Sequence, residues 1–321
     1  MADDAVLNPE KNREPLVSVL VPAYNHHQYI VECLESVRAL NYRRLELIVS
    51  DDCSPDNTFE LAEQWAQKNA DRFERTLVVR QDKNVGLVRN LQSLFNAAQG
   101  DYLACIASDD LFLESAFASR VELLQTHRDI DAVFGNAQLI SAAGAVLKEE
   151  FIPRRYAREL SSSRLLLSSL IVNFSVPGPV IMLRKEAVLE NGSLGPLPPD
   201  LHGEDRYIYI RLAAKKKLRY VNEVVAKCRF VPDSMSRPVS RKPDIELFAQ
   251  GDRKNRQLLS GFNRLLIENE ITKYNLELKK GDVALYGFRH MWSRYITKVS
   301  RITLLICSTA FRKQRFDRVG V

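Results

Sequence analysis

Short apolar runs alternate with amphipathic stretches along the first 140 residues of the chain. The runs VSVLVPAYN, LELIVSDD, TLVVR and DYLACIASDD predict buried strands at 17–25, 45–52, 76–80 and 101–110. Apolar residues at spacings of three and four predict helices between and after them, near 28–39, from 54 onward, at 85–98 and near 114–126. Strands that alternate with helices predict a mostly parallel, doubly wound α/β sheet.

The pattern changes after about residue 130. DAVFGNAQLIS at 131–141 predicts another strand, and a Leu-rich stretch at 161–174 predicts a helix. Residues 180–192 read as a strand that runs into a helix. A further helix begins near Glu204 and Asp205, where the helix dipole favours negative charge.

Polar residues stand at the carboxyl ends of three of the predicted strands, as Tyr24-Asn25, Asp51-Asp52 and Asp109-Asp110. In doubly wound sheets the ligand site lies beyond these strand ends. We therefore expect four carboxylates to converge on one crevice. Such a cluster is costly without a cation or strong hydrogen-bond donors.

Composition narrows the class of protein. With about 45% apolar and 27% charged residues, 321 residues can bury a full core. Five scattered cysteines without a C-x-x-C pair indicate neither a disulfide framework nor a zinc site, and favour a reducing cytoplasmic location. Residues 1–14 lack the features of a signal peptide and are predicted to be a flexible lead-in.

The surplus of positive charge lies in the C-terminal segment. Residues 279–321 hold ten Lys or Arg and two Asp, a net +8, so the remaining residues carry −2 of the chain's total of +6. Apolar residues recur there at helical spacing between the cations, but the apolar run is too short to cross a membrane. We expect residues 283–318 to lie on an anionic membrane surface. Packing on the domain or on a second subunit is the alternative, and the oligomeric state is open.

Five motifs in order resemble family 2 inverting glycosyltransferases with the GT-A fold, of the kind that builds bacterial surface polysaccharides. The motifs are VSVLVPAYNHHQYIVECLESV, LELIVSDDCSPDNT, NVGLVRN, GDYLACIASDD and GEDRYIYIRL. Each is weak alone, but their order and spacing together are specific. The resemblance covers residues 16 to 236.

The resemblance implies a GT-A catalytic domain at 15–240, with a nucleotide-binding half at 15–110 and an acceptor half at 111–240. A helical, basic amphipathic region would follow at 241–321. The implied activity is the transfer of a sugar from a nucleotide-diphosphate donor to a glycan or lipid-linked acceptor, with inversion and with Mg²⁺ or Mn²⁺. The implied location is the cytoplasmic face of the cell membrane.

The resemblance also assigns roles to residues of this chain. Asp110 would bind the metal, and Asp109 would lie toward both the metal and the ribose. Asp205 would be the catalytic base, with Glu204 beside it. The remaining matches are predicted donor-binding residues: Pro22, Ala23, Tyr24, Asp51, Asp52 and, more weakly, Arg89.

The chemistry of sugar transfer calls for these residue types. A hard cation held by carboxylates neutralises the leaving diphosphate, and a carboxylate on the other side of the sugar accepts the proton of the acceptor hydroxyl. The chain departs from the family pattern in one segment, where Val231 and Ser234 stand at the positions of a His and an Asn that can help to hold the metal. His202 is a conceivable substitute. The third metal ligand is therefore open.

Simpler interpretations remain beside these. Asp109-Asp110 and Asp51-Asp52 could serve as turn and helix-cap residues, and Glu204-Asp205 could merely complement a helix dipole. Pro22 to Asn25 could form a turn that packs Tyr24. Another class of function is a non-catalytic module that binds a nucleotide sugar or glycan. A phospho-receiver domain would leave the Glu204-Asp205 segment unexplained. A nucleic-acid binder is disfavoured because the body of the chain is slightly acidic.

Overall fold

The structure is a computed structural model that describes residues 13–201, 203–231 and 242–278. Of the predicted lead-in, only residues 13 and 14 fall in these ranges. The predicted amphipathic segment at 283–318, together with His202 and Ser234, lies outside the described residues.

Nine strands form one sheet in the part of the chain that the structure describes. They are β1 (Val17–Ala23), β2 (Leu45–Asp51), β3 (Arg75–Arg80), β4 (Tyr102–Cys105), β5 (Leu111–Phe112), β6 (Ala132–Ser141), β7 (Val146–Lys148), β8 (Ile181–Arg184) and β9 (Leu218–Phe230). Their order across the sheet is β3-β2-β1-β4-β8-β6-β9-β5, and β7 pairs with β6.

Ten α-helices accompany the sheet within the described residues. They are α1 (Ile30–Arg38), α2 (Thr58–Lys68), α3 (Leu87–Ala97), α4 (Ala118–Thr126), α5 (Arg154–Leu160), α6 (Leu166–Val172), α7 (Lys185–Val188), α8 (Glu204–Ala214), α9 (Lys242–Arg256) and α10 (Gly261–Leu278). The helix predicted at 161–174 is therefore shorter, because Ser161–Arg164 form a turn between α5 and α6. No helix in the described ranges has the length and apolar character needed to cross a membrane.

The sheet is parallel on its N-terminal side and mixed beyond it. The pairs β2–β3, β1–β2 and β1–β4 are parallel, as the strand-helix alternation predicts. Every residue of β2 is buried, and α3 packs on β1 and β2. Such continuously apolar strands need cover from helices, which explains why these strands lack an alternating pattern.

The second half of the sheet contains antiparallel strands. β8 lies between β4 and β6 and is antiparallel to both, whereas β6 and β9 are parallel. The two-residue strand β5 pairs with β9 in antiparallel fashion. β9 thereby joins the middle of the sheet to the segment that follows Asp109 and Asp110.

The fourth predicted strand is shorter than the sequence pattern indicates. β4 ends at Cys105 instead of continuing to residue 110. The amide of Asp110 donates to the carbonyl of Ala107 at 3.0 Å, which closes a turn. The acid pair is therefore held in a turn between β4 and β5 and not on the strand itself.

Helices α9 and α10 pack on the α6 and α8 side of the domain. Arg206 in α8 forms a buried ion pair with Asp252 in α9, with Nη2 3.0 Å from Oδ2 and Nε 3.0 Å from Oδ1. The same guanidinium donates to the carbonyls of Leu170 and Ile171 in α6. One buried cation thus ties three helices together. Where the catalytic domain ends in the sequence stays a prediction.

Breaking this pair should destabilise the protein strongly. Asp252→Asn leaves the Arg206 guanidinium buried without its counter-charge, so the free energy of unfolding should fall by about 3–5 kcal/mol. Urea unfolding measures this change. The matched control is Glu268→Gln, which removes the exposed Arg264–Glu268 pair and should cost about 0.5 kcal/mol or less. Equal losses in the two variants would contradict the linking role of Arg206.

Candidate active site

The strand ends of β1, β2 and β4 meet at one edge of the sheet. Ala23 pairs with Asp51 across β1 and β2, and Leu20 pairs with Cys105 across β1 and β4. The amide of Asp52 then donates to the Ala23 carbonyl at 2.8 Å. The sequence prediction that these segments meet at one edge is confirmed.

Asp51 is buried, and its carboxylate closes the turn that follows β2. Its carboxylate accepts the Ser54 amide at 2.9 Å and the Ser54 hydroxyl, and it lies 3.6 Å from Nε of Arg80. These contacts match the interpretation of Asp51 as a turn residue. The donor-binding role of Asp51 stays a prediction.

Asp52 organises a second loop at the same edge. One carboxylate oxygen accepts the Val85 amide at 2.7 Å, and the other accepts the Gly86 amide at 2.9 Å. Gly86 has a φ of +86°, a conformation that side-chain-bearing residues rarely adopt. Asp52 thus fixes the start of α3. Arg89 lies exposed in the first turn of that helix, and no ion pair joins it to the acids among the described residues.

The loop after β1 forms one wall of the site. Tyr24 is 45% exposed at its rim, whereas Ala23 is buried. Asn25 has a φ of +56°, and its amide donates to the Ser54 hydroxyl at 2.9 Å. The loops after β1 and β2 are therefore bonded to each other, and Tyr24 is left open to a ligand. Pro22 is partly buried just behind it.

The acid pair is buried at the centre of this edge. Asp110 accepts the backbone N–H of Arg229 at its Oδ1, 2.7 Å away, and the thiol of Cys228 also donates to it. Burial raises the pKa of the Asp110 carboxyl, and the neighbouring Asp109 raises it further. The two carboxylates are thus held together, with Arg229 as the nearby cation. The pair does lie in a turn, but its burial excludes a turn that is open to solvent.

His26 belongs to the site, although no sequence pattern assigned it a role. Its Nδ1 lies 2.8 Å from the hydroxyl of buried Ser108, and its Nε2 lies 3.9 Å from Oδ2 of Asp109. The backbone of His26 donates to the Thr58 hydroxyl at 2.8 Å. The adjacent His27 instead pairs with Asp56 at 2.7 Å. The sequence gives no sign of this difference between the two histidines, and only the structure shows that His26 is the one near Asp109.

Asp205 lies at the start of α8, as predicted. Gly203 adopts a left-handed conformation just before the helix, with a φ of +67°. Burial raises the pKa of Asp205 to about 8, and the charge of Glu204 adds to the shift. A β-carbon at Gly178 would lie 3.5 Å from Oδ2 of Asp205, so the segment before β8 passes close to this carboxylate.

The Cys228 thiol is near two sets of acids, the Asp109-Asp110 pair and Asp205. Burial raises the pKa of this thiol, and the charges of Asp110, Asp109 and Asp205 raise it further. The thiol is therefore within electrostatic reach of the acid pair and of Asp205. The structure thus brings these acids close enough to act on one thiol, although they lie almost 100 residues apart in sequence.

The carboxylate oxygens of Asp109 and Asp110 suit a hard divalent cation that a bound ligand also contacts. In the parts of the chain that the structure describes, no three His, Cys, Asp or Glu side chains are grouped to hold a metal ion by themselves. Mg²⁺ is commonly bound by one or two carboxylates together with substrate phosphates. Asp109 and Asp110 offer two such carboxylates at a partly open edge. Val231 supplies no ligand atom from its side chain.

The sequence matches a known family over most of this region. The family model described as Glycosyl transferase family 2 matches residues 18–188, more than half of the chain. The chain belongs to glycosyl transferase family 2. The match includes the strand ends of β1, β2 and β4 and the acid pair, and it ends before Glu204 and Asp205.

Relatives in the family come from several bacteria. This family 2 member is 28% identical to TuaG of Bacillus subtilis, named as a teichuronic acid biosynthesis glycosyltransferase, over 226 residues that cover 70% of this chain and 83% of TuaG. It is 31% identical to glycosyltransferase GlyG of Streptococcus pneumoniae over 121 residues, 38% of each chain. It is 33% identical to EpsE of Bacillus subtilis over 129 residues. These last matches span less than half of GlyG and of EpsE.

Solved structures share the architecture. Residues 1–349 of Staphylococcus aureus TarS in complex with UDP-GlcNAc align with a TM-score of 0.58 at 17% identity, covering 82% of this chain and 72% of that one. A mannosyltransferase from Pyrobaculum calidifontis, in complex with GDP-Man and Mn²⁺, aligns with a TM-score of 0.55 at 19% identity, covering 93% and 87%. The predicted GT-A fold is confirmed.

The raised pKa of Asp205 predicts a pH dependence of stability. An unfolded Asp ionises near pH 3.9, so between about pH 4 and 8 the folded state holds a proton that the unfolded state releases. This group therefore stabilises the fold less as pH rises. Relative to Asp205→Asn, whose amide does not titrate, the wild type should lose stability between pH 5 and pH 8.

Urea unfolding of both proteins at pH 5, 6.5 and 8, without divalent metal, measures this difference. Glu63→Gln, on the exposed side of α2, is the control and should track the wild type at each pH. A difference between wild type and Asp205→Asn that does not change with pH would show that Asp205 titrates normally.

Proposed function

We propose that this family 2 member transfers a sugar from a nucleotide-diphosphate donor to a hydroxyl of a glycan or lipid-linked acceptor, in one displacement that inverts the anomeric configuration. The observation that carries the proposal is the position of Asp205. It is a carboxyl group of raised pKa at a helix start, close enough to a buried acid pair that both act on the Cys228 thiol. The Asp205 carboxyl group suits a proton acceptor, and the acid pair suits a bound cation.

Asp110 and Asp109 would hold Mg²⁺ or Mn²⁺ on the donor side. When bound, the ion would supply positive charge opposite the diphosphate that departs. The protein contributes the orientation of the carboxylates, because the Arg229 amide and the Cys228 thiol fix Asp110 from behind. The Mn²⁺ that accompanies GDP-Man in the P. calidifontis mannosyltransferase structure supports this assignment by analogy of fold.

Asp205 would accept the proton of the attacking hydroxyl. A general base works best when its pKa lies near the working pH, and burial moves Asp205 in that direction. Glu204, one residue earlier, adds negative charge that raises the basicity of Asp205. Because the acceptor attacks while the diphosphate leaves from the other side, a single displacement inverts the anomeric carbon.

The loops at the ends of β1 and β2 would bind the nucleotide. Tyr24 offers an exposed aromatic face beside Pro22 and Ala23, and the Asp51 and Asp52 turns set the shape of this wall. Exposed Arg89 would lie toward the donor phosphates. The fold neighbours hold UDP-GlcNAc and GDP-Man, which supports a nucleotide sugar without choosing one.

The relatives support a role in building surface polysaccharides, and we propose the cytoplasmic face of the membrane as its location. TuaG carries a name from teichuronic acid biosynthesis, and the acceptor proposed here is a growing glycan or its lipid-linked form. The basic segment at 283–318 would hold the enzyme at that surface. No nucleic acid is involved in this proposal.

A non-catalytic module that binds a nucleotide sugar is the second candidate. Val231 and the absence of a complete metal site among the described residues favour it. It predicts that a donor binds and that no acceptor is ever glycosylated. Turnover of any donor with an acceptor would exclude it.

Asp205→Asn should abolish transfer and leave donor binding intact. A thermal-shift screen of nucleotide sugars with Mn²⁺ first finds the donor, since a ligand that binds only the folded state raises its melting temperature. Loss of a general base typically lowers kcat by about 10²–10⁴-fold. NMR of the product from the wild type gives the anomeric configuration.

Two variants distinguish the role of the catalytic base from the role of the metal ligand. Asp110→Asn should weaken the response to Mn²⁺, whereas Asp205→Asn should not. Glu63→Gln, remote from the crevice, should retain full activity. Undiminished transfer by Asp205→Asn would overturn the assignment of the base.

Membrane binding is tested by removing the basic segment. The full chain should sediment with vesicles of phosphatidylcholine and phosphatidylglycerol more strongly than a chain that ends after Leu278, because residues 279–321 carry a net +8. The difference should shrink in high salt. Equal sedimentation of both chains would refute a membrane role for this segment.

A further inference from the structure

Arg229 stands next to the acid pair but was not among the residues that the motifs pointed to. It is the second-last residue of β9, and its side chain is 1% exposed. A buried arginine must satisfy its donors and its charge inside the protein. The groups that do so here belong to three separate parts of the domain.

Arg229 holds both acids, through different atoms. Its backbone N–H donates to the carboxylate of Asp110 at 2.7 Å, and its side-chain Nε donates to the main-chain carbonyl of Asp109 at 2.8 Å. The first bond orients one carboxylate directly. The second holds the peptide from which both carboxylates project.

The far end of the guanidinium is fixed by α1 and by the turn after β6. Nη2 donates to Oε2 of Glu32 at 2.7 Å, and Nη1 donates to the carbonyl of Ala142 at 2.9 Å. The guanidinium carbon lies 4.8 Å from the centre of the Tyr29 ring. The planar fork of arginine can make these bonds at once, whereas a lysine ammonium has no such fork.

We propose that Arg229 is a positioning residue that holds Asp109 and Asp110 in the arrangement that binds the divalent ion. This rests on the proposed function, in which these acids and the donor diphosphate share that ion. In this role Arg229 acts through Asp109 and Asp110 and not by contact with substrate or metal. It acts by fixing the acid-pair turn against α1, and by its positive charge behind two carboxylates that repel each other.

A second buried arginine provides the comparison that separates this role from ordinary packing. Arg184 in β8 also donates to carbonyls, those of Ile130 at 2.8 Å and His127 at 3.2 Å, and its guanidinium lies over the Tyr102 ring at 5.6 Å. It resembles Arg229 in burial and in bonding. It binds neither Asp109 nor Asp110, so its loss should cost stability without a selective effect on metal.

The experiment measures Mn²⁺ affinity directly, by electron paramagnetic resonance of free Mn²⁺, in the presence of UDP and, in a parallel series, GDP. Arg229→Lys should bind Mn²⁺ about 10–100-fold more weakly than the wild type, the usual effect of losing a residue that orients a metal ligand. Arg184→Lys should bind Mn²⁺ within about twofold of the wild type. Melting temperatures of both variants report any general loss of stability.

Glu32→Gln provides a test if Arg229→Lys does not fold. It keeps the buried guanidinium and removes only the ion pair to a side chain that is 52% exposed. Mn²⁺ affinity should fall by about twofold to fivefold, in line with a partly exposed pair. In that case, an affinity equal to that of the wild type would overturn the proposal.

The outcomes distinguish the positioning role from the proposed function. If the wild type binds Mn²⁺ and Arg229→Lys binds it equally well, or if Arg184→Lys loses as much affinity as Arg229→Lys, the positioning role is wrong and metal-assisted transfer stands. If the wild type binds no Mn²⁺ with either nucleotide, metal assistance fails and this proposal fails with it. A loss of Mn²⁺ affinity in Arg229→Lys but not in Arg184→Lys supports both the positioning role and metal-assisted transfer.

Discussion

The repulsion between two buried carboxylates, those of Asp109 and Asp110, constrains the architecture of the whole sheet edge. Neither carboxylate can be moved out of water at low cost unless donors or cations surround it. Arg229 offsets part of this cost, because its amide and its guanidinium both contact the acids. Glu32 binds the same guanidinium, so part of its positive charge is already balanced. The acid pair is therefore still short of positive charge, and a divalent ion that it shares with the donor's diphosphate would supply it.

Asp205 and Asp110 both have a raised pKa, and burial is the first cause at each, but their neighbours differ. At Asp110 the charge of Asp109 adds to the rise, whereas the Arg229 amide, the Cys228 thiol and the Arg229 guanidinium favour the charged form and offset part of it. At Asp205 the charge of Glu204 adds to the effect of burial. In the proposed mechanism, the donors around Asp110 suit a ligand for a cation, and burial beside Glu204 suits Asp205 to take up a proton near neutral pH.

Much of the fold followed from the sequence because its signals are local. Parallel buried strands, such as β1 and β2, show themselves as mostly apolar runs, and the polar residues at their carboxyl ends had to meet at one edge. The start of α8 was marked by its acidic first turn. The mixed second half was not predictable in the same way, since no local signal tells whether β8 and β9 run parallel or antiparallel to their neighbours. The residues behind the site were missed for a similar reason: His26 meets Ser108 across 82 positions, and Arg229 meets Asp110 across 119.

The site therefore depends on strand pairing far from its own motifs. Arg229 reaches the acid pair through the antiparallel pairing of β5 with β9, which sets Leu111, the residue after Asp110, opposite Lys227. On its other side β9 is parallel to β6, with Ile140 opposite Arg229. That register shifts twice, between Phe134 and Asn136 and again between Asn136 and Ala137. The pairing of three strands, β5, β6 and β9, thus places the Arg229 guanidinium between the acid-pair turn and the Ala142 carbonyl that it also bonds.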